Sequence, residues 1–323
     1  MLSNSPAKSN EPQRDLHGLL VVDKPGFDPA NPDARLWTSH DIVARMRRWS
    51  GQRRIGHTGT LDPMASGVLI LCLGQATRLV EYYQGHDKRY RALVALGRAT
   101  DSYDATGQVV EEAPVPPLNN QQIEAALARF RGDIMQTPPI YSALKQEGEA
   151  LYAKARRGEE VTVAARPVAI RQLNLVERTA TTITLDIVCS AGTYIRSLAH
   201  DLGRALGTVA HLAELRRTAA GDFDLDDAHP LPEIEAAVEA GTFARLLLPL
   251  GVGLGLPCLT VDEHTALRLS QGQRVLIKAT ESNCVSDLAL AQSAAGAALG
   301  IVRCLESQGS TQLWKAEKWL AIG

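Results

Sequence analysis

Six apolar residues in a row, Val68-Leu69-Ile70-Leu71-Cys72-Leu73, closed by Gly74, read as a strand buried in a core. The stretch that feeds this strand has the opposite character. Arg54-Ile55-Gly56-His57-Thr58-Gly59-Thr60-Leu61-Asp62-Pro63-Met64-Ala65-Ser66-Gly67 holds one carboxylate, one imidazole and three glycines. Asp62 is therefore predicted on a turn fixed by Pro63, where the chain passes into the core. A carboxylate in that place needs a partner or a purpose, because burying it unpaired is costly.

Other elements can be placed around this strand. Leu19-Leu20-Val21-Val22 predicts a first strand, ended by Asp23-Lys24-Pro25-Gly26. Thr38 and Ser39 can cap a helix with Ile42, Val43, Met46 and Trp49 on one face and Arg45 and Arg48 on the other. Asn119-Asn120 precede a second helix bearing Ile123, Ala126, Leu127 and Phe130. Ile183, Leu185, Ile187 and Cys189 alternate with Thr184, Asp186 and Val188, which predicts a half-buried strand. It leads through Ser190-Ala191-Gly192-Thr193-Tyr194-Ile195-Arg196 into a helix with Leu198, Leu202 and Leu206. Strands and helices mix without a regular βαβ rhythm, so the fold class is α+β with a mixed sheet. Residues 249–257, rich in Gly, Leu and Pro, mark a boundary. Beyond them Val275-Leu276-Ile277, Leu299-Gly300-Ile301-Val302 and Leu313-Trp314-Lys315 predict a small β-rich domain.

At 323 residues and 45% hydrophobic content, the chain can bury more than one core. No apolar run approaches the roughly 18 residues of a membrane helix. Residues 1–14 are polar, without an apolar export segment, and a disordered tail is expected over residues 1–15. The five cysteines (Cys72, Cys189, Cys258, Cys284 and Cys304) form no C-x-x-C pair. That argues against a zinc site or a disulfide framework and fits reduced thiols in the cytoplasm.

The net charge of -2 conceals an asymmetry. After residue 220 there are 7 Lys and Arg against 13 Asp and Glu; before it, 27 against 23. Ten basic residues fall within 45–98: Arg45, Arg47, Arg48, Arg53, Arg54, Arg78, Lys88, Arg89, Arg91 and Arg98, opposed by Asp62, Glu81 and Asp87. Such a field suits a polyanionic substrate, or is a solvated basic face.

Asp62 reads as a nucleophile or general base, or as a turn cap paired with a structural Arg. His57 could touch substrate or bind metal, but no second His or Cys stands at ligand spacing. The glycines are not a phosphate loop, since no Gly-Lys-Ser/Thr follows. Lys88-Arg89-Tyr90-Arg91 sets a ring among cations, as in sites that stack bases and bind phosphates, or forms an edge strand with a half-buried Tyr. Arg196 is of the type to pair with a buried carboxylate such as Asp62.

Six blocks in order resemble the TruB family of bacterial tRNA pseudouridine-55 synthases. They are Gly18-Leu19-Leu20-Val21-Val22-Asp23-Lys24-Pro25; Gly56-His57-Thr58-Gly59-Thr60-Leu61-Asp62-Pro63; Lys88-Arg89-Tyr90 with Leu96-Gly97-Arg98-Ala99-Thr100-Asp101-Ser102-Tyr103-Asp104; Pro139-Ile140-Tyr141-Ser142-Ala143-Leu144-Lys145; Gly192-Thr193-Tyr194-Ile195-Arg196; and Leu215-Arg216-Arg217. The resemblance implies a mainly antiparallel pseudouridine-synthase sheet flanked by helices over residues 16–250. It also implies a PUA-like RNA-binding domain over residues 251–323. It implies that Asp62 is the catalytic aspartate, that Tyr90 lies against the target base and that Arg196 pairs with Asp62. Tyr194 and Leu215 are expected to line the pocket, and His57 and Lys24 to bind substrate. No metal or organic cofactor is implied. The expected partner is the TΨC stem-loop of tRNA, with no membrane and no obligate protein partner, for a cytoplasmic monomer. The chemistry agrees: remaking a glycosidic bond calls for a carboxylate, and a stacked base has to be flipped out to be reached.

Residues 26–37 depart from the family, which passes from Lys-Pro through a very short turn into the Thr-Ser of the next helix. The main alternative function is an RNA-folding chaperone with catalysis secondary. Retention of Asp62, Tyr90 and Arg196 together favours catalysis. A metal-dependent phosphohydrolase built on His57 and Asp62 fails on ligand count.

Overall fold

The structure, a computed structural model of the chain, describes residues 16–28, 30–31, 34–141, 145–146, 149–150, 163–278, 287–308 and 311–320. The tail expected over residues 1–15, Cys284, residues 29, 32 and 33 of the insertion, and residues 142–144 of the Pro139 motif lie outside the described residues.

In chain order the strands are β1 (Gly18–Lys24), β2 (Ile55–His57), β3 (Ser66–Leu73), β4 (Lys88–Leu96), β5 (Arg98–Thr100), β6 (Val109–Glu112) and β7 (Gly132–Gln136). The short β8 (Lys145–Gln146) and β9 (Glu149–Ala150) follow, then β10 (Arg166–Arg178), β11 (Thr182–Cys189), β12 (Ala210–Ala220), β13 (Phe223–Asp224) and β14 (His229–Pro230). Among the described residues one mixed sheet runs β14-β1-β3-β12-β4-β11-β10-β7, with β2 beside β3 and β13 beside β12. Most pairs are antiparallel; β1 with β14 and β3 with β12 are parallel. This is the α+β mixed sheet expected from the sequence.

The predicted strand at Val68 is β3, every residue of which after Ser66 is buried. Its two faces meet two cores, as a fully apolar strand allows. Leu69, Leu71 and Leu73 pack with Ile42 and Met46 of helix Ser39–Ser50, with Leu198 and Leu202 of helix Ile195–Ala205, and with Ile234 of helix Leu231–Glu239. Val68, Ile70 and Cys72 pack on the other face with Leu19, Val21, Leu79 and Tyr83. Capping follows the sequence. Thr38 and Asp41 form a capping box at the first helix, and Asn119 and Gln122 form another at helix Asn120–Ala128. The alternation read over residues 183–189 is β11, with every odd residue buried.

Two readings are revised. Lys88-Arg89-Tyr90-Arg91 is not on an edge: β4 lies between β12 and β11 near the middle of the sheet. The basic cluster is also less available than composition suggests. Lys88 is buried and donates to the Gln84 and His86 carbonyls at 2.6 and 2.5 Å. Arg91 pairs with Asp186, Arg98 with Glu112, and Arg47 donates to the Ile55 carbonyl.

Arg35 and Trp37, at the end of the insertion, pack on the first helix. The Arg45 guanidinium lies 4.7 Å from the Trp37 ring and 4.8 Å from the Trp49 ring. Arg35 covers Trp37 and pairs with Asp41.

A second sheet begins at Cys258. It comprises β15 (Cys258–Thr260), β16 (Val275–Lys278), β17 (Leu288–Gln292), β18 (Ala298–Gln308) and β19 (Thr311–Trp319), in the order β15-β17-β18-β19-β16. Trp314, Val302 and Leu269 anchor a core of its own. Leu290, Ala298, Ile301 and Leu320 instead join the cluster behind β1 and β3. The two bodies thus share apolar packing, reinforced by a bond from Tyr82 to Glu317 (3.0 Å), while Tyr83 donates to the Val252 carbonyl of the connecting segment (2.9 Å).

Candidate active site

The loop between β2 and β3 carries Asp62, and three buried polar side chains hold it from below. Ser39, at the start of the first helix, accepts from Leu61 N at 2.8 Å and donates to Leu61 O at 3.1 Å. Lys24, at the end of β1, donates to the Pro63 and Ala65 carbonyls at 3.1 and 2.6 Å. Arg217 of β12 donates to Val68 O at 2.6 Å and to Gly59 O at 3.2 Å. Each of the three is at most 2% exposed. The backbone is also drawn in closely. A Cβ on Gly67, whose φ is +101°, would stand 2.1 Å from the Arg217 carbonyl oxygen, and one on Gly26 would stand 2.7 Å from Met64 O.

Arg196 closes the loop from above. It is the second residue of helix Ile195–Ala205, whose start is fixed by β7. The Gln136 amide exchanges two hydrogen bonds with the Tyr194 backbone, and Ser197 donates to Thr137 O. The guanidinium grips Asp62 through two parallel bonds, Nε to Oδ2 at 2.9 Å and Nη2 to Oδ1 at 3.0 Å. Its other donors meet Ser102 O at 3.1 Å and Tyr141 O at 3.0 Å, with Asp104 at 3.6 Å. The Arg196 side chain is 6% exposed and that of Asp62 is 30% exposed. The carboxylate is therefore oriented by a planar fork while one side stays open to a ligand.

The remaining expected residues fall into two groups. Tyr90 is half-buried on β4, paired across to Ile187 and Arg217. Burial raises its phenol pKa, opposed by the adjacent Arg217. His57 ends β2, and burial, then Arg217 and His40, push its imidazole toward the neutral form. Leu215 is buried on β12 opposite Ala92. Lys24 and Tyr194 sit differently from a simple ligand contact. Lys24 is fully buried, and burial lowers its pKa to about 8 although Asp62 opposes the shift. The Tyr194 backbone caps the Arg196 helix and its ring faces the Arg166 guanidinium at 5.7 Å.

Family models match two adjoining stretches. The N-terminal domain of the TruB family of pseudouridylate synthases matches residues 47–195, and the tRNA pseudouridylate synthase B C-terminal domain matches residues 196–254. The tRNA pseudouridine synthase B of Opitutus terrae is 46% identical over 226 residues, 70% of this chain and 90% of that protein. That of Xanthomonas euvesicatoria is 45% identical over 264 residues, covering 81% and 83%. The chain belongs to the TruB family of pseudouridine synthases. Solved structures share its fold. A Cbf5-Nop10-Gar1 complex aligns with TM-score 0.69 and 24% identity over 94% of this chain and 85% of that chain. An archaeal box H/ACA sRNP Nop10-Cbf5 complex aligns with TM-score 0.68 and 23% identity over 96% and 89%. The two TruB matches meet immediately before Arg196, inside one helix, so they describe a single folded body rather than two.

Sequence reasoning gave no role to Ser39 beyond capping, and none to Asp104 or Arg217. Asp104 closes the motif of residues 96–104 and is 4% exposed, held by Ser102, Thr106 N and Thr106 Oγ1. A signal for Arg217 was present: it shares the inward phase of Leu215 and Ala219 along β12.

Proposed function

We propose that this chain is a tRNA pseudouridine synthase that isomerises the uridine at position 55 in the TΨC loop. The observation that carries the reading is the fork-held Asp62 on a chain of this family. In the reaction the N1–C1′ bond breaks, the base turns and a C5–C1′ bond forms. C5 loses a proton and N1 gains one, so the product is an isomer and no redox partner is consumed. Asp62 serves as the carboxylate at the ribose–base junction, and Arg196 fixes its direction. Tyr90 and Leu215 receive the flipped base, compensating for lost stacking. His57, neutral and half-buried, holds a neighbouring nucleotide. Lys24 supports substrate binding by holding the loop, and Tyr194 by framing the pocket at the head of the helix. The second sheet serves as an RNA-holding domain in the same reading. The enzyme works as a cytoplasmic monomer without a protein partner, a reading that fits its scattered cysteines. The decisive experiment is pseudouridine formation on unmodified tRNA by the purified chain; none at uridine 55 overturns the proposal.

Arg196→Lys is expected to lower the single-turnover rate on the order of 100-fold at saturating tRNA, because an ammonium cannot supply the two parallel bonds that orient Asp62. A well-folded variant, checked by thermal melting, that keeps the parental rate would remove Arg196 from this role.

Binding should weaken with salt despite the net negative charge, through phosphates met by exposed arginines. Arg53 and Arg54, just before β2 and His57, are exposed. Replacing both with Gln is expected to flatten the slope of log K against log salt by about 1.5. An unchanged slope would place the RNA elsewhere.

A further inference from the structure

Arg217 is 2% exposed, and the acceptors of its hydrogen bonds are backbone carbonyls, with no carboxylate in ion-pair range among the described residues. A buried charge without a counter-ion is destabilising in itself, so a neutral donor would serve a merely structural need better. What a guanidinium adds is span. Nε binds Val68 O, at the start of the buried run, while Nη2 and Nη1 reach Gly59 O at 3.2 Å and Thr60 O at 3.5 Å, ahead of Asp62. Across the sheet Arg217 stands directly opposite Tyr90 of β4, so the two side chains share a face.

We propose that Arg217 is a positioning residue that locks both limbs of the Asp62 loop to Tyr90, fixing the carboxylate relative to the ring that receives the base. Three observations support this. Ser39 and Lys24 secure residues 61–65, but neither reaches Gly59, Thr60 or Val68. Gly67 has no Cβ and so permits the close approach of the β12 backbone that brings Arg217 beneath the loop. Arg196 orients Asp62 from the opposite side, through bonds that reach neither β4 nor β12 among the described residues. Without Arg217, Asp62 keeps its fork but loses its register with Tyr90.

The inference rests on the isomerase reading, and its test separates the two. Full-length Arg217→Met and Arg217→Lys are compared with the parent for single-turnover pseudouridine formation at saturating tRNA, for tRNA affinity, for thermal melting and for backbone hydrogen exchange. The expected result is a folded Arg217→Met protein whose rate falls about 100-fold with affinity within about 3-fold of the parent, since a shift of about 1 Å can cost that much. Arg217→Lys, which restores charge without the fork, should recover less than about 10-fold. Exchange should rise across residues 58–68 and stay unchanged in β11. That last readout does not depend on activity: a parent without synthase activity sinks the function, while unaltered exchange in the variants sinks the positioning role. A parental rate in either folded variant, a loss confined to affinity, or failure of both variants to fold would each overturn the proposal.

Discussion

Asp62→Asn should fold, bind tRNA within a few-fold of the parent and lose isomerisation by about 10⁴-fold or more, the scale seen when an essential nucleophile is deleted. Folding survives because Arg196 keeps the Ser102 and Tyr141 carbonyls and the nearby Asp104, and the substituted amide would still offer it one carbonyl oxygen. The stability lost should be about 1–3 kcal/mol, the range for an under-satisfied partner, since Asp62 is only partly desolvated. Binding should survive because the exposed arginines proposed to meet phosphates, and the proposed Tyr90 and Leu215 base contacts, are untouched. The measurement is single-turnover pseudouridine formation at saturating tRNA, alongside a melt and a binding titration. A rate above one hundredth of the parent would mean that another group does the work assigned to this carboxylate.

Cutting the chain after residue 254 should have an effect of another kind, loss of the fold. A separable RNA-holding module would leave the chemistry intact, but the cluster behind β1 and β3 is not closed without it. Leu290, Ala298, Ile301 and Leu320 cover the face bearing Leu19, Val21, Val68, Ile70 and Tyr83. Full exposure of one such side chain costs about 1.5–3 kcal/mol, and a whole domain is stable by only about 5–15 kcal/mol. Partial exposure of several is enough to remove that margin. Residues 1–254 are therefore expected to aggregate, or to melt tens of degrees lower, and to lose activity for that reason. A soluble fragment with a cooperative melt near that of the parent would show that the shared cluster contributes little.

Much of the local structure was legible because it is written in local chemistry. The six-residue apolar run, the alternation of residues 183–189 and the Thr38 and Asn119 caps each need only their neighbours in sequence. The Asp62–Arg196 pair, 134 residues apart, was anticipated from residue type and family likeness rather than from any local pattern. What stayed hidden was where long cationic side chains turn. Lys24 and Lys88 have the composition of a phosphate-binding face, yet both point inward to backbone carbonyls. A flexible four-carbon stem reaches either way, and only the closed fold decides. The role of Asp104 stayed hidden because its partner Arg196 comes from a distant helix. The Gly- and Pro-rich stretch near residue 250 gave no sign of the apolar contact between the two sheets. Leu19, Val21 and Ile301 are ordinary strand residues until it is known which sheet faces which.

The placement of β1 also sets a timetable for synthesis. This strand leaves the ribosome early, but its neighbour β14 lies more than 200 residues later, Leu19 bridges to Leu248, and Leu320 completes the layer behind it. At elongation rates of roughly 5–20 residues per second, about 15–60 s separate β1 from the end of β19. For all of that interval Leu19 and Val21 lack part of their final cover. The nascent chain therefore carries an antiparallel pair, β1 and β3, with one apolar face open to misassociation until the last strand arrives.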